Sequence, residues 1–385
     1  MSRAKLFGSL CGLVFLVNFA RVIFAPLVGE FIDEFAIREG TAGLVVTLVW
    51  VGSAAPRLPT GWVLTKVPRH HVVLASGTML ALGSVFLGFT DGVVWLMVGA
   101  FAVGTASGVY FVAANPFISE LFPDRVGRVM GIHGMASQVA AVVAAPVVTV
   151  ALWYDWRYAF FGLGVLAAVL TVLTYVLARR ADLPDVDVTA TGFVAAALSE
   201  WHIIVAGVAL MGITSFVWQG LFNFYELYMV AKGLPQATAR NLLTVIFAAG
   251  VPAFFISGTL VDRFPRVQFL LAVIGSFVCS VFLIVAASGL WPLVAATTLA
   301  GFTIHAMFPA ADAYILDTLP DTTRATAYAV FSGGMMLTQA LGSSAVGALV
   351  ESGIAYDAVF TAFAAVLAVL VAVFAGLDRA GRIPG

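Results

Sequence analysis

Charge is scarce in this sequence. Asp, Glu, Lys and Arg make up 10% of its 385 residues, where a water-soluble domain carries about 25%. With 62% hydrophobic residues and a mean hydropathy of +1.04, the chain has too little polar surface to cover itself in water. Its solvent is therefore lipid. The net charge of −1 argues neither for nor against nucleic acid, and no nucleic-acid partner is expected. Cysteine is limited to Cys11 and Cys279, both within apolar runs, which speaks against a disulfide framework or a zinc site. There is no G-x-x-x-x-G-K-[ST] to cradle ATP phosphates and no H-E-x-x-H. No cofactor, metal or catalytic residue is expected. The polar connections are too short for a soluble catalytic domain, so an enzyme is not the expected class. A channel, the other rival, would usually come as repeated subunits around a pore.

Long apolar runs are what the sequence has in quantity. A helix of about 20 apolar residues crosses a bilayer core of about 30 Å. Twelve such runs are expected, near 6–30, 42–64, 72–90, 93–121, 126–151, 157–178, 202–231, 237–261, 268–287, 291–318, 325–350 and 355–377. The first follows a basic start, "MSRAK", but is too long for a signal peptide and has no small-residue cleavage site, so it reads as a retained helix. Connections are short except for 179–200, "RRADLPDVDVTATGFVAAALSE", near the midpoint. The expected organisation is an N-terminal six-helix bundle (1–178), a cytoplasmic linker (179–200) and a C-terminal six-helix bundle (201–385). The fold class is thus an all-α membrane protein, with twelve transmembrane helices in two pseudo-symmetric bundles. Of the 19 basic residues, thirteen fall in loops on one side; Arg38, Arg157, Lys232 and Arg240 fall on the other, and Arg21 and Arg57 lie inside helices. That asymmetry puts both termini in the cytoplasm and the protein in the cell membrane.

Two stretches repeat. "SGTLVDRFPRVQF" (257–269) has an earlier relative, "PTGWVLTKVPRHHVV" (59–73), and Gly61 aligns with Gly258 at an offset of 197 residues. Held without gaps, that offset matches Thr47 with Thr244, Pro68-Arg69 with Pro265-Arg266, Gly104 with Gly301, Phe111 with Phe308, Glu120 with Asp317 and Pro123-Asp124 with Pro320-Asp321. Alanines and valines match by chance in apolar helices; Gly, Pro, Arg and acidic residues in one register over roughly a hundred positions do not. Internal repeats of this kind mark secondary transporters, with the solute bound between the halves near mid-membrane. In each copy the glycine permits close helix approach, and the proline ends the helix. Asp262 supplies a carboxylate for a helix N-terminus or an arginine, and Arg263 and Arg266 meet the anionic inner leaflet.

The run "GTLVDRFPR" (258–266), between the eighth and ninth spans, resembles the loop motif of the major facilitator superfamily: a Gly, then Asp-Arg, then a basic residue. The resemblance extends to twelve spans, two halves and a central linker. Here the second copy is the better kept, since Thr65 stands where Asp262 does and Pro68 where a Gly is expected. Gly61, Arg69, Gly258, Asp262, Arg263 and Arg266 are the loop-motif residues. The resemblance implies alternating access about a central cavity lined by the first, fourth, seventh and tenth helices.

Those four helices carry most of the polar side chains. Each ionised group at mid-bilayer costs about 2.5–3.5 kcal/mol on insertion scales, so each needs a reason. The first has Asn18 and Arg21; the fourth, Tyr110 and Asn115; the seventh, Trp218, Gln219, Asn223 and Glu226; the tenth, His305 and Asp312. Arg21 is expected to bind an anionic group, because guanidinium matches carboxylate in a fork, or to pair with Glu226. Glu226 and Asp312 are candidates for proton coupling, and Arg57 for a gate with Asp312. Asn18, Tyr110, Asn115, Trp218, Gln219, Asn223 and His305 are the remaining candidate substrate contacts. Glu120 and Asp317 are expected to pair with Arg125, Arg128, Lys66 or Arg324. The expected function is a monomeric secondary carrier in the lipid bilayer for a small solute. An organic anion moved with a proton or other coupling ion, by symport or antiport, is favoured; a neutral solute such as a sugar, or a cation or drug, stays open.

Overall fold

The computed structural model describes residues 2–64, 66–122, 126–181, 183, 198–261, 263–320 and 324–383. Among the described residues there is no strand, and twelve helices are long and apolar enough to cross a membrane. Only helices close every backbone hydrogen bond within one segment, as hydrocarbon demands of a spanning chain with no barrel. In chain order these are α1 Arg3–Phe35, α2 Glu39–Val63, α3 Arg69–Gly88, α4 Val93–Leu121, α5 Val129–Ala151 and α6 Arg157–Ala178. The second set is α7 Trp201–Asn223, α8 Gln236–Ser257, α9 Arg266–Ala286, α10 Leu290–Ile315, α11 Ala327–Glu351 and α12 Tyr356–Arg379. Helical structure continues past α8 to Leu260 and past α10 to Thr318. The expected twelve-helix architecture is what the structure has.

Three spans are interrupted. In α1 the helix Ser2–Val22 gives way to a 3-10 turn, Ala25–Leu27, before Val28–Phe35 resumes; Pro26 sits in the turn and has no N–H to continue the ladder. In α2 the break falls at Ala55–Pro56, just before Arg57. The seventh run, expected to be continuous over 202–231, has a π-helical turn at Val208–Gly212 and stops at Phe224, after which a separate short helix covers Tyr225–Ala231.

The chain divides into two compact units, Met1–Ile37 with Leu44–Ala190, and Arg38–Gly43 with Thr191–Gly385. Most of 179–200 lies outside the described residues. Within the first unit α1 packs on α5, and α3 packs on α4 and α6. Within the second, α7 packs on α11, and α9 packs on α10 and α12. These are the same pairings shifted by six helices. A close crossing also repeats: a Cβ on Gly104 of α4 would run into the Val49 carbonyl of α2, and one on Gly301 of α10 into the Ile246 carbonyl of α8. Both partners obey the offset of 197. Glycine lets these backbones touch, as small residues do between membrane helices. Valine and leucine side chains on α6 (Val165, Leu166, Val169, Val172) and on α12 (Val366, Val369, Val373) are exposed, as a lipid-facing surface requires.

Candidate substrate-binding site

Arg21 ends the first segment of α1, one residue before the helix gives way, where helix carbonyls favour a cation. It is 8% exposed. Its Nη2 donates to Asn18 Oδ1 at 2.6 Å, and Asn18 Nδ2 donates to the Ser137 carbonyl of α5 at 2.7 Å. The guanidinium carbon lies 5.0 Å from the Trp50 ring centre and 4.9 Å from that of Phe111. Cation–π contact contributes about 0.5–2 kcal/mol and holds the fork flat between two walls. Nε is buried with no hydrogen-bond partner, and no carboxylate among the described residues forms an ion pair with Arg21.

Tyr110 and Asn115 share α4 but differ in use. Tyr110 is fully buried, its hydroxyl donating to the Leu10 carbonyl at 2.7 Å and lying 3.1 Å from His133 Nε2. It fastens α4 to α1 and α5. Asn115 is half-buried and its Oδ1 has no partner. Gln138 Oε1, on α5, is likewise buried without one.

The stripe expected on the seventh run is divided by the break at Phe224. Gln219 and Asn223, ahead of the break, are fully buried against α11. Gln339 Nε2 donates to Gln219 Oε1 at 2.7 Å, and Asn223 Nδ2 donates to Ser343 Oγ at 2.8 Å. Gln219 Nε2 and Asn223 Oδ1 are left buried without partners. Past the break, Glu226 is 1% exposed and faces α8: Arg240 Nε donates to its Oε2 at 3.0 Å, Arg240 Nη2 to its Oε1 at 2.9 Å, and Gln236 Nε2 to Oε1 at 3.1 Å. This fork is the geometry that makes an arginine–carboxylate pair strong. Glu226 is thus paired within its own unit. Arg240, counted above as a loop residue, is buried on the first turns of α8. The short loop between them turns on Gly233 at φ 89°, a left-handed conformation that ends Tyr225–Ala231 and sends the chain back along itself.

His305, on α10, sits among Trp218, Phe247 and Phe254, with ring centres 5.8, 5.4 and 6.0 Å away. Its Nδ1 lies 2.7 Å from the Gly301 carbonyl. Trp218 stacks on Phe222 at 5.5 Å. Asp312, two turns further along α10, is exposed within the protein and accepts the Tyr328 hydroxyl at 2.7 Å.

The loop motif is engaged as two equivalent ion pairs. Arg69 Nε donates to Glu120 Oε2 at 2.8 Å, and Arg266 Nε donates to Asp317 Oδ2 at 2.8 Å. Each pair spans 51 residues. Of the partners expected for Glu120 and Asp317, the side chains of Arg125, Arg128 and Arg324 lie outside the described residues; the members of the two described pairs align at the offset of 197. Arg266 Nη1 also donates to the Val261 carbonyl at 2.9 Å, and Arg263 is exposed. A Cβ on Gly61 would meet nothing, so close approach is not what that glycine provides. Asp262 lies outside the described residues, as does the surrounding of Gly258 within its helix.

Twelve helices and two compact units with matching internal contacts define a multi-pass membrane protein of duplicated design. The chain belongs to the Major Facilitator Superfamily, whose family model matches residues 10–289 and 236–383. Among curated relatives it is 25% identical over 165 residues to the uncharacterized transporter YybO of Bacillus subtilis, covering 42% of this chain and 38% of that one. It is 24% identical over 169 residues to the galactose-proton symporter of Escherichia coli, covering 43% of this chain and 36% of the symporter. The matched segments thus span well under half of these relatives. Among solved structures, a point mutant of the nucleoside transporter NupG shares the fold at TM-score 0.83 and 13% identity, covering 98% of this chain and 100% of that one. A bacterial homolog of the human lysosomal transporter Spinster does so at TM-score 0.79 and 15% identity, covering 98% and 97%.

Proposed function

We propose that this protein is a secondary active transporter of a small organic anion, coupled to protons. The observation that carries the reading is Arg21. An arginine stays charged under all ordinary conditions, and a buried charge without a counterion is costly. The carboxylate that relieves it arrives with the solute, seated in the fork between Trp50 and Phe111. Asp312 is the coupling group in this reading. Glu226 is held in a buried fork by Arg240, whereas Asp312 is exposed within the protein and bonded to a neutral hydroxyl, so it takes and releases a proton without breaking an ion pair. Its place in the first unit is taken by Asn115, which cannot titrate. The carrier works as a monomer in the cell membrane with both termini in the cytoplasm.

A neutral sugar is the second reading, favoured by the galactose-proton and arabinose-proton symporters among the relatives, at 24% and 25% identity. The test is uptake into liposomes carrying the purified protein, with and without an imposed pH gradient, over a panel of acids and sugars. An organic acid is expected to accumulate with the gradient. Asp312→Asn is expected to exchange labelled for unlabelled solute yet fail to concentrate it. Concentrative, gradient-driven uptake by that variant would exclude Asp312 as the proton carrier.

A further inference from the structure

Arg21 Nε on α1 has a companion. Trp50 Nε1 on α2 is also a buried donor with no hydrogen-bond partner among the described residues. Both residues belong to the first unit, and Trp50 is 9% exposed. Their side chains touch, the guanidinium carbon lying 5.0 Å from the indole centre. That contact uses the face of the ring and leaves its N–H unused. An indole nitrogen is a donor only, and burying a donor unmet is costly.

Packing does not require that nitrogen. At the offset of 197, Trp50 corresponds to Phe247 and Arg21 to Trp218. The second unit keeps the contact, ring against ring at 6.3 Å, with a phenyl group and no cation. The indole N–H is thus present beside the cation and absent where the cation is absent. Arg21 also has part of its fork engaged: Nη2 donates to Asn18 Oδ1 at 2.6 Å, and Asn18 is itself tied to the Ser137 carbonyl of α5. Nε–H is left over beside it. A carboxylate has two oxygens. When one of them meets Nε–H, the other needs a second donor.

We propose that Trp50 is a specificity-determining residue: its Nε1–H donates to one carboxylate oxygen of the transported solute while Arg21 Nε–H donates to the other. This rests on the reading of Arg21 as the anion site and narrows the solute to carboxylic acids. Sharing two oxygens between two residues selects against the primary amide of the same acid. The amide has a single acceptor oxygen and turns N–H groups, themselves donors, toward the second N–H.

The experiment titrates the purified full-length protein with benzoate, hexanoate and gluconate and with the primary amide of each. Affinity is measured by calorimetry, and the tryptophan indole N–H groups are followed by proton–nitrogen NMR. The Trp50 resonance is identified by its loss in Trp50→Phe, which copies Phe247 and keeps the aromatic wall. Wild type is expected to bind at least one acid, and more tightly than its amide. Trp50→Phe is expected to weaken each acid that wild type binds by about tenfold or more, as the loss of a hydrogen bond to a charged group does, with a smaller change for the amides. In wild type the Trp50 N–H resonance is expected to move downfield on saturation with each bound acid. A resonance that stays in place at saturation overturns the proposal, and so does Trp50→Phe binding the acids with wild-type affinity. If Trp50→Phe is destabilised and loses the acids for that reason, the wild-type spectrum still decides. Where Arg21→Gln weakens the acids and Trp50→Phe does not, the anion site stands and only the role of the indole falls. A wild type that binds none of the acids overturns both.

Discussion

At the offset of 197, Arg21 on α1 corresponds to Trp218 on α7, Trp50 to Phe247 and Phe111 to Phe308, while Gly108 corresponds to His305. The first unit therefore builds a cation between two aromatic walls. The second builds an aromatic cluster around an imidazole at the equivalent positions. What stays constant lies elsewhere: the Gly104 and Gly301 crossings, the Arg69–Glu120 and Arg266–Asp317 pairs, and the order in which helices pack. Backbone contact and loop pairing are held in register, and the side chains around Arg21 and His305 are not. A duplicated scaffold can thus present two different chemistries, one charged and one aromatic.

The comparison is broken most forcefully at Glu226–Arg240, which has no counterpart at that offset: Gly29 stands where Glu226 does and Gly43 where Arg240 does. Removing one partner of a buried ion pair costs about 3–5 kcal/mol. Glu226→Gln or Arg240→Gln is therefore expected to lower thermal stability in detergent sharply, and the double substitution to recover part of the loss. Single variants that melt with wild type would show that the pair does not fasten the Tyr225–Ala231 segment to α8. A much smaller effect is expected at the loop pairs. Their side chains are partly exposed, 19% and 33% for Arg69 and Glu120 against 30% and 57% for Arg266 and Asp317. Solvent screening holds such pairs to about 1 kcal/mol or less. Arg69→Ala and Arg266→Ala are each expected to shift the midpoint slightly, the second less than the first on this ion pair. A large loss at Arg266 alone would show that the two loops are not equivalent.

Much of this architecture could be read beforehand. Span length and hydropathy give twelve helices because hydrocarbon thickness fixes how many apolar residues a crossing needs. The register of Gly104 with Gly301 anticipates matching close approaches, since only a crossing of backbones requires glycine at both. Side-chain pairing was harder. Arg240 looked like a loop residue because hydropathy sees its charge and not the turn at Gly233 that folds it onto Glu226. The regular stripe of Gln219, Asn223 and Glu226 assumed a continuous helix; the break at Phe224 turns Glu226 to α8 while Gln219 and Asn223 face α11. At the same offset Ser53 and Gly108 stand where Gly250 and His305 do, but only a Cβ built against the ring shows that Gly250 makes room for it.

The central claim is that Arg21 receives the anionic group of the solute. Counterflow in liposomes tests it most directly, with an organic acid that the wild type exchanges, its neutral primary amide, and an Arg21→Gln variant confirmed to be folded by its melting temperature. A charge-assisted hydrogen bond contributes about 1.5–3 kcal/mol. The variant is thus expected to lose about tenfold or more in apparent affinity for the acid, with no comparable change for the amide. Exchange of the acid by Arg21→Gln with wild-type affinity and rate would contradict the account.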